Sequence, residues 1–241
     1  MAGILLVIKL MPLESKSCSA VFSNTAWLKS TMPFAFMLGL QIINNRADTI
    51  MLGIFRPTSE VAYYDIAMRT SELVLFLQVT VNMAIAPNIS KLYAETKSTQ
   101  LSAFITKAVR FSLLITLPVV GIIAIYGEQL IVYIFGAEYK AAIFAMYILM
   151  IGHCVNILFG PNDLMLNMCK KERYTLRGVA IAALINLVLN YFLIPVYGVE
   201  GACIATLVST VVWNVMLYIS TVRHLGIDTS FVGIKYATIQ A

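Results

Sequence analysis

Five ionisable side chains, Arg46, Asp48, Asp65, Arg69 and Glu72, fall in stretches otherwise apolar enough to sit in a lipid bilayer. Each costs about 2.5 to 3.5 kcal/mol at the centre of a membrane helix on insertion scales, so such groups need water or a partner there. Arginines in that setting can contact a phosphate or pyrophosphate, and carboxylates can take up a proton or Na⁺. At about 100° per residue, Gln41, Asn44, Asn45 and Asp48 share one stripe, while Arg46 points nearly opposite Asp48. Asp65, Arg69 and Glu72 form a second stripe at i, i+4 and i+7. Two readings stay open. In one, Arg69 pairs with Asp65 and Glu72 along its own helix, and the triad is glue between helices. In the other, the stripes line a central cavity where Arg46 and Arg69 meet an anion and Asp48, Asp65 or Glu72 holds a coupling ion. The five charges sum to minus one, so the cluster alone does not argue for an anion.

His153 shares a helical face with Asn156 and Gly160, and imidazole titrates near neutral pH, which would suit a transport cycle. The competing reading is a hydrogen-bonded packing residue. Asn186 and Asn190, one turn apart, and Asn214 read as interhelical hydrogen bonders, and Gly178 with Ala182 and Gly201 with Ala205 as sites of close helix contact. No Ser-His-Asp order, metal-ligand spacing or phosphate-cradling Gly-rich loop occurs, which argues against an enzyme, a cofactor or ATP-driven action on this chain. Cys18, Cys154, Cys169 and Cys203 have no metal spacing and do not read as a disulfide framework.

The elements that must position these residues are long and apolar. Sixty per cent of the chain is hydrophobic and only 12% is charged, about half the charged share of a soluble domain. Six stretches approach the roughly 20 residues needed to span a bilayer as a helix: Met32 to Phe55, Val61 to Pro87, Ala108 to Tyr126, Ala141 to Gly160, Tyr174 to Ile194 and Gly201 to Val222. Loops on one side of them carry thirteen Lys and Arg, and loops on the other carry two, Arg56 and Lys140. Basic residues stay on the cytoplasmic face during insertion, so both termini are expected inside. The net charge of +5 therefore reads as topology and attraction to anionic headgroups, with no nucleic acid implied.

Residues 1–26 read as the end of a preceding helix and a Ser-rich cytoplasmic linker, 27–223 as a six-helix transmembrane lobe and 224–241 as a cytoplasmic tail. Trp27 and Lys29 suit an interfacial anchor. The loop Asn88 to Lys107 is patterned as an amphipathic helix resting on the membrane, and Gly127 to Lys140 as a short interfacial helix. Pro118 is the expected hinge.

Several stretches resemble the polysaccharide and O-antigen flippases, of the superfamily that also holds the multidrug and toxic compound extrusion (MATE) exporters. They include Asp48-Thr49-Ile50-Met51-Leu52-Gly53, Val61-Ala62-Tyr63-Tyr64-Asp65-Ile66-Ala67-Met68-Arg69, Ala86-Pro87-Asn88-Ile89-Ser90, Phe135-Gly136-Ala137-Glu138-Tyr139 and Ile194-Pro195-Val196-Tyr197-Gly198. The resemblance implies an all-α polytopic bundle forming one lobe of a two-lobe MATE-like transporter, the C-terminal one, working by alternating access. It further implies a multi-pass protein of the bacterial inner membrane that moves an undecaprenyl-pyrophosphate-linked oligosaccharide, such as an O-antigen unit for lipopolysaccharide, to the outer leaflet.

On that resemblance Arg46 and Arg69 are the expected pyrophosphate contacts, Asn45, Tyr63 and Tyr64 sugar contacts, and Asp48, Asp65, Glu72 and His153 ion-coupling or cavity-lining groups. The expected partners are the lipid-linked oligosaccharide, the bilayer, an N-terminal lobe or a second copy, and a polysaccharide polymerase complex. Two alternatives remain: a proton- or Na⁺-coupled antiporter for cationic drugs, and a non-transporting module of a glycan-assembly complex.

Overall fold

The structure, a computed structural model, describes residues 24–231 and is helical throughout, apart from short turns and an irregular end. The side chains of Trp27, Lys29 and Asn45 lie outside the described residues, as do the whole of 1–23 and 232–241. Two compact units are distinguished, Met1–Met32 and Pro33–Ala241. In the first, the described part is helical and is the start of the first helix below; the rest concerns the second.

Helix α1 (Asn24–Phe55) ends where Pro57 disfavours helical backbone at Arg56, and α2 (Thr58–Ala94) begins immediately after. A turn at 95–97, with Thr96 at φ 55°, leads to α3 (Ser98–Phe135). Gly136, at φ 112°, stops α3 and opens a 3₁₀ turn (Ala137–Ala141), followed by α4 (Ala142–Phe159), a short α5 (Asn162–Met168) and α6 (Glu172–Leu225). By length and composition, four stretches among the described residues can cross a membrane: α2, α3, α4 with its 3₁₀ turn, and α6.

At 54 residues α6 would extend about 80 Å if straight, far more than a hydrocarbon layer. It is not straight. At Gly198 (φ 56°, ψ −129°) the chain reverses. The two halves then run antiparallel: Tyr174 stacks on His224 at 4.1 Å, and Asn186 Nδ2 lies 3.5 Å from Thr206 Oγ1. Gly178 lets Leu217 approach so closely that a Cβ there would sit 2.8 Å from its Cδ2. The reversal is held from outside by Glu60, whose Oε2 accepts the Val199 N–H at 3.2 Å and pairs with Arg56 Nε at 3.2 Å. Glu60 thus caps the second half of α6 from the start of α2. Glu60→Ala is expected to lower stability by about 1–2 kcal/mol, read as a drop in thermal unfolding temperature in detergent, with Glu60→Gln recovering part of it.

Burial departs from that of a water-soluble domain. Phe36, Ile54, Phe76, Leu114, Ile125 and Phe192 are exposed, whereas Asp48, Ser71, Thr116, Asn186 and Asn190 are buried among apolar side chains. An apolar exterior with polar groups kept inside is what a hydrocarbon solvent selects. The chain is a multi-pass membrane protein. One apolar core gathers Leu52, Tyr64, Val74, Met146, Ile194 and Cys203, and a second, at the end bearing Lys91, Lys97, Lys170 and Lys171, gathers Ile85, Ile89, Leu101, Ile105, Met165 and Ile227.

Several local expectations are corrected. Residues 88–107 form no separate surface helix: α2 and α3 run on to a three-residue turn, and Ile89, Leu101 and Ile105 bury against each other. The 3.6-residue pattern was real, but its partner is the adjacent helix, which periodicity cannot distinguish from a membrane surface. Leu130, Ile131, Tyr133, Ile134 and Phe135 are likewise the last turns of α3. Helix α3 continues through Pro118, and the non-helical backbone lies at Gly198. Asn214 donates to Thr210 O on its own helix, so the interhelical role expected for it is not seen.

Candidate functional site

A groove of about 380 Å³ opens along α1 and α2, lined by Arg46, Thr49, Tyr64, Asp65, Arg69 and Glu72. Four of the five intramembrane charges thus share one concave surface. Arg69 Nε pairs with Asp65 Oδ2 at 2.8 Å, one turn away, with side chains 70% and 44% exposed. The pairing within α2 is therefore real, and both partners remain open to the groove. Arg46 and Glu72 are exposed on the same surface.

The fifth charge is elsewhere. Asp48 is buried behind the groove, where four helical segments meet. Its Oδ2 accepts the Tyr64 hydroxyl at 2.6 Å and the Thr206 hydroxyl at 2.8 Å, and its Oδ1 accepts Asn190 Nδ2. Asn190 Nδ2 also bonds Asn186 Oδ1 at 3.0 Å, while Asn190 Oδ1 is buried without a partner. The register explains the separation: two residues along a helix turn through about 200°, so Arg46 and Asp48 must face opposite ways. Tyr64 joins the two layers, since it borders the groove and its hydroxyl holds Asp48.

Asn186 and Asn190 were legible as a polar pair one turn apart on the same face. Thr206 was not, because no spacing in the chain marks it; only the reversal at Gly198 carries it to Asp48. The side chain of Asn45, an expected sugar contact, lies outside the described residues. His153 is not among the groove-lining residues. Its Nε2 lies 3.2 Å from Ser71 Oγ, and one turn on, Asn156 Nδ2 donates to Gln78 Oε1 at 3.3 Å, so both tie α4 to α2.

The chemistry of the two layers differs. The groove offers guanidinium donors beside carboxylates, a surface for a large polar solute. The inner cluster offers carboxylate, amide and hydroxyl oxygens, the donors preferred by hard cations and protons. Among the described residues no three His, Cys, Asp or Glu side chains gather as a metal cluster.

Comparison with known proteins matches this architecture. The MatE family profile covers residues 33–196. The probable low-salt glycan biosynthesis flippase Agl15 of Haloferax volcanii is 28% identical over 78% of this chain and 39% of its own length. The probable flippase AglR of the same organism is 30% identical over 70% of this chain and 36% of its own length. The chain therefore spans about two-fifths of the length of these relatives. Among solved structures, a multidrug resistance MATE family transporter of the MOP superfamily, in its outward-facing conformation, superposes with a TM-score of 0.73. That superposition covers 88% of this chain and 48% of the transporter at 16% identity, which establishes the fold. A family match over more than half of the sequence, on a bundle of the same fold, places this chain in the MatE family of membrane transporters and flippases and not among enzymes.

Proposed function

We propose that this chain forms one six-span lobe of a flippase that moves a lipid-linked oligosaccharide, O-antigen units among them, from the inner to the outer leaflet of a prokaryotic cell membrane. The observation that carries this reading is the groove in which Arg46 and Arg69 stand beside Asp65 and Glu72. Its support from relatives is the glycan-biosynthesis flippase among them. A polar wall lets sugar and pyrophosphate cross while the lipid tail stays in hydrocarbon. Arg46 and Arg69 take the pyrophosphate: a guanidinium has five N–H donors, and Asp65 engages only the Nε of Arg69. Asp65 and Glu72 keep the groove from holding that anion too tightly to release it. The lobe rocks against a second lobe, in the parallel-repeat arrangement, with both termini on the basic, cytoplasmic side.

Asp48 is the coupling group in this reading. Its carboxylate, with the oxygens of Asn186, Asn190, Thr206 and Tyr64, fits a proton or Na⁺, and the unpartnered Asn190 Oδ1 supplies a further donor for a cation. Because Tyr64 touches both layers, occupancy at Asp48 alters the groove wall.

Arg46→Ala in the full-length transporter is expected to reduce surface glycan in a complemented strain by about tenfold or more, the loss of a charge-assisted contact, with Arg46→Lys in between and membrane insertion unchanged. Normal glycan in Arg46→Ala would reject the assignment. Drug-dependent proton flux in vesicles, with no movement of lipid-linked sugar, would favour the cationic-drug antiporter instead.

A further inference from the structure

A second polar feature runs through the lobe, apart from the groove and from Asp48. It starts at Ser71 with His153, continues at Gln78, two turns along α2, with Asn156, one turn along α4, and reaches a cavity of about 10 Å³ whose lining includes Gln78, Asn82, Ser112, Gly160 and Pro161. That volume is about what a single water needs. Ser112 is 6% exposed, and its hydroxyl has no hydrogen-bond partner although it borders this cavity. A buried hydroxyl left unsatisfied is costly, and a water with two or three polar neighbours removes the cost.

The residues that follow α6 pack against this end of the feature at Gly160, which lines the cavity. Gly226, at φ 65°, turns the chain back, and Ile227, Asp228 and Thr229 are buried. Thr229 Oγ1 reaches Phe159 O at 3.1 Å and Asn162 Oδ1 at 2.6 Å, and the Phe231 N–H donates to Leu158 O at 3.3 Å. The Thr229 carbonyl presses so close to Gly160 that a Cβ there would lie 2.0 Å from its oxygen. Gly160 is therefore both a wall of the cavity and the seat of this segment.

We propose that Gln78, Asn82 and Ser112 hold one buried water, and that the segment 226–231 is a plug that seals this hydrated seam from the basic end of the lobe. The ligand is water. Displacing the plug opens the seam to solvent and leaves the groove residues untouched.

The test is site-resolved labelling, by mass spectrometry, of the full chain in detergent or nanodiscs with a small water-soluble thiosulfonate. Ser112→Cys reports the cavity and Ile227→Cys reports the plug, each in a background of native Gly160, of Gly160→Ala, and of Thr229→Ala. Gly160→Ala forces a methyl against the Thr229 carbonyl, while Thr229→Ala removes the hydroxyl that Phe159 O and Asn162 Oδ1 share, without adding bulk, and serves if the first variant folds poorly. With the native plug, both reporters are expected to label slowly. In either variant both should accelerate together, by about tenfold, the shift that loss of one or two hydrogen bonds brings to a local opening. Fast labelling at Ser112→Cys with the native plug overturns the proposal. So does acceleration at Ile227→Cys alone, or no acceleration at either reporter in both variants.

Discussion

Asp48→Ala is expected to abolish cation-dependent transport and also to destabilise the lobe by on the order of 3 kcal/mol, because three donors lose a shared, buried acceptor together. Tyr64, Asn190 and Thr206 all direct a hydrogen to this carboxylate, and only Asn190 keeps a well-placed alternative, Asn186 Oδ1. Asp48→Asn separates the two effects. An amide of the same shape still accepts from Tyr64 or Thr206, and Asn190 can turn its unpartnered oxygen toward the new NH₂. That variant should unfold near the wild-type temperature. It should also lose any rise in unfolding temperature that Na⁺ gives the wild type, since a ligand stabilises only the state that binds it. The measurement is thermal unfolding in sodium against choline buffers, alongside transport under imposed proton and sodium gradients. Wild-type gradient dependence in Asp48→Asn would remove Asp48 from the coupling role.

Gly198→Ala is the other substitution with a large expected effect, and it acts through the backbone. At φ 56° and ψ −129° an L side chain is strained by about 1–3 kcal/mol. The added Cβ would also lie 2.1 Å from Glu60 Oε2 and 2.8 Å from Arg56 Nη2. Expelling Glu60 removes the cap on Val199, so the total loss should exceed that of Glu60→Ala alone. Combining the two substitutions separates the contributions. The double variant relieves the collision with Glu60 but keeps the strained dihedral, so its loss of stability should be smaller than the sum of the two single losses, by the energy of that clash and of the cap lost in both. Full additivity of the two losses, measured by thermal unfolding, would mean that Glu60 and Gly198 do not communicate.

Much of this architecture was readable from the residue order. The spacing of Asp65, Arg69 and Glu72 puts them on one helical stripe, and the structure brings them to one groove with Arg46. The opposition of Arg46 and Asp48 was equally a matter of helical angle, and it became the division between an open layer and a buried one. What could not be read is whatever depends on chain reversal. Thr206 reaches Asp48 only because α6 doubles back at Gly198, and a lone threonine in an apolar run carries no local mark. The plug was unreadable for the same reason: Gly226 to Phe231 looks like a short exposed tail, yet it fills a space made by Gly160. The α2–α3 tip shows the complementary error, since apolar residues at helical spacing predicted a buried face but not what would bury it.

Helices α2 and α3, of 37 and 38 residues, are each about 55 Å long, against a hydrocarbon thickness of about 30 Å. Their shared tip at Glu95, Thr96 and Lys97 is polar and exposed, so a fluorophore at Thr96 would report motion of the pair with nothing attached near the groove or Asp48.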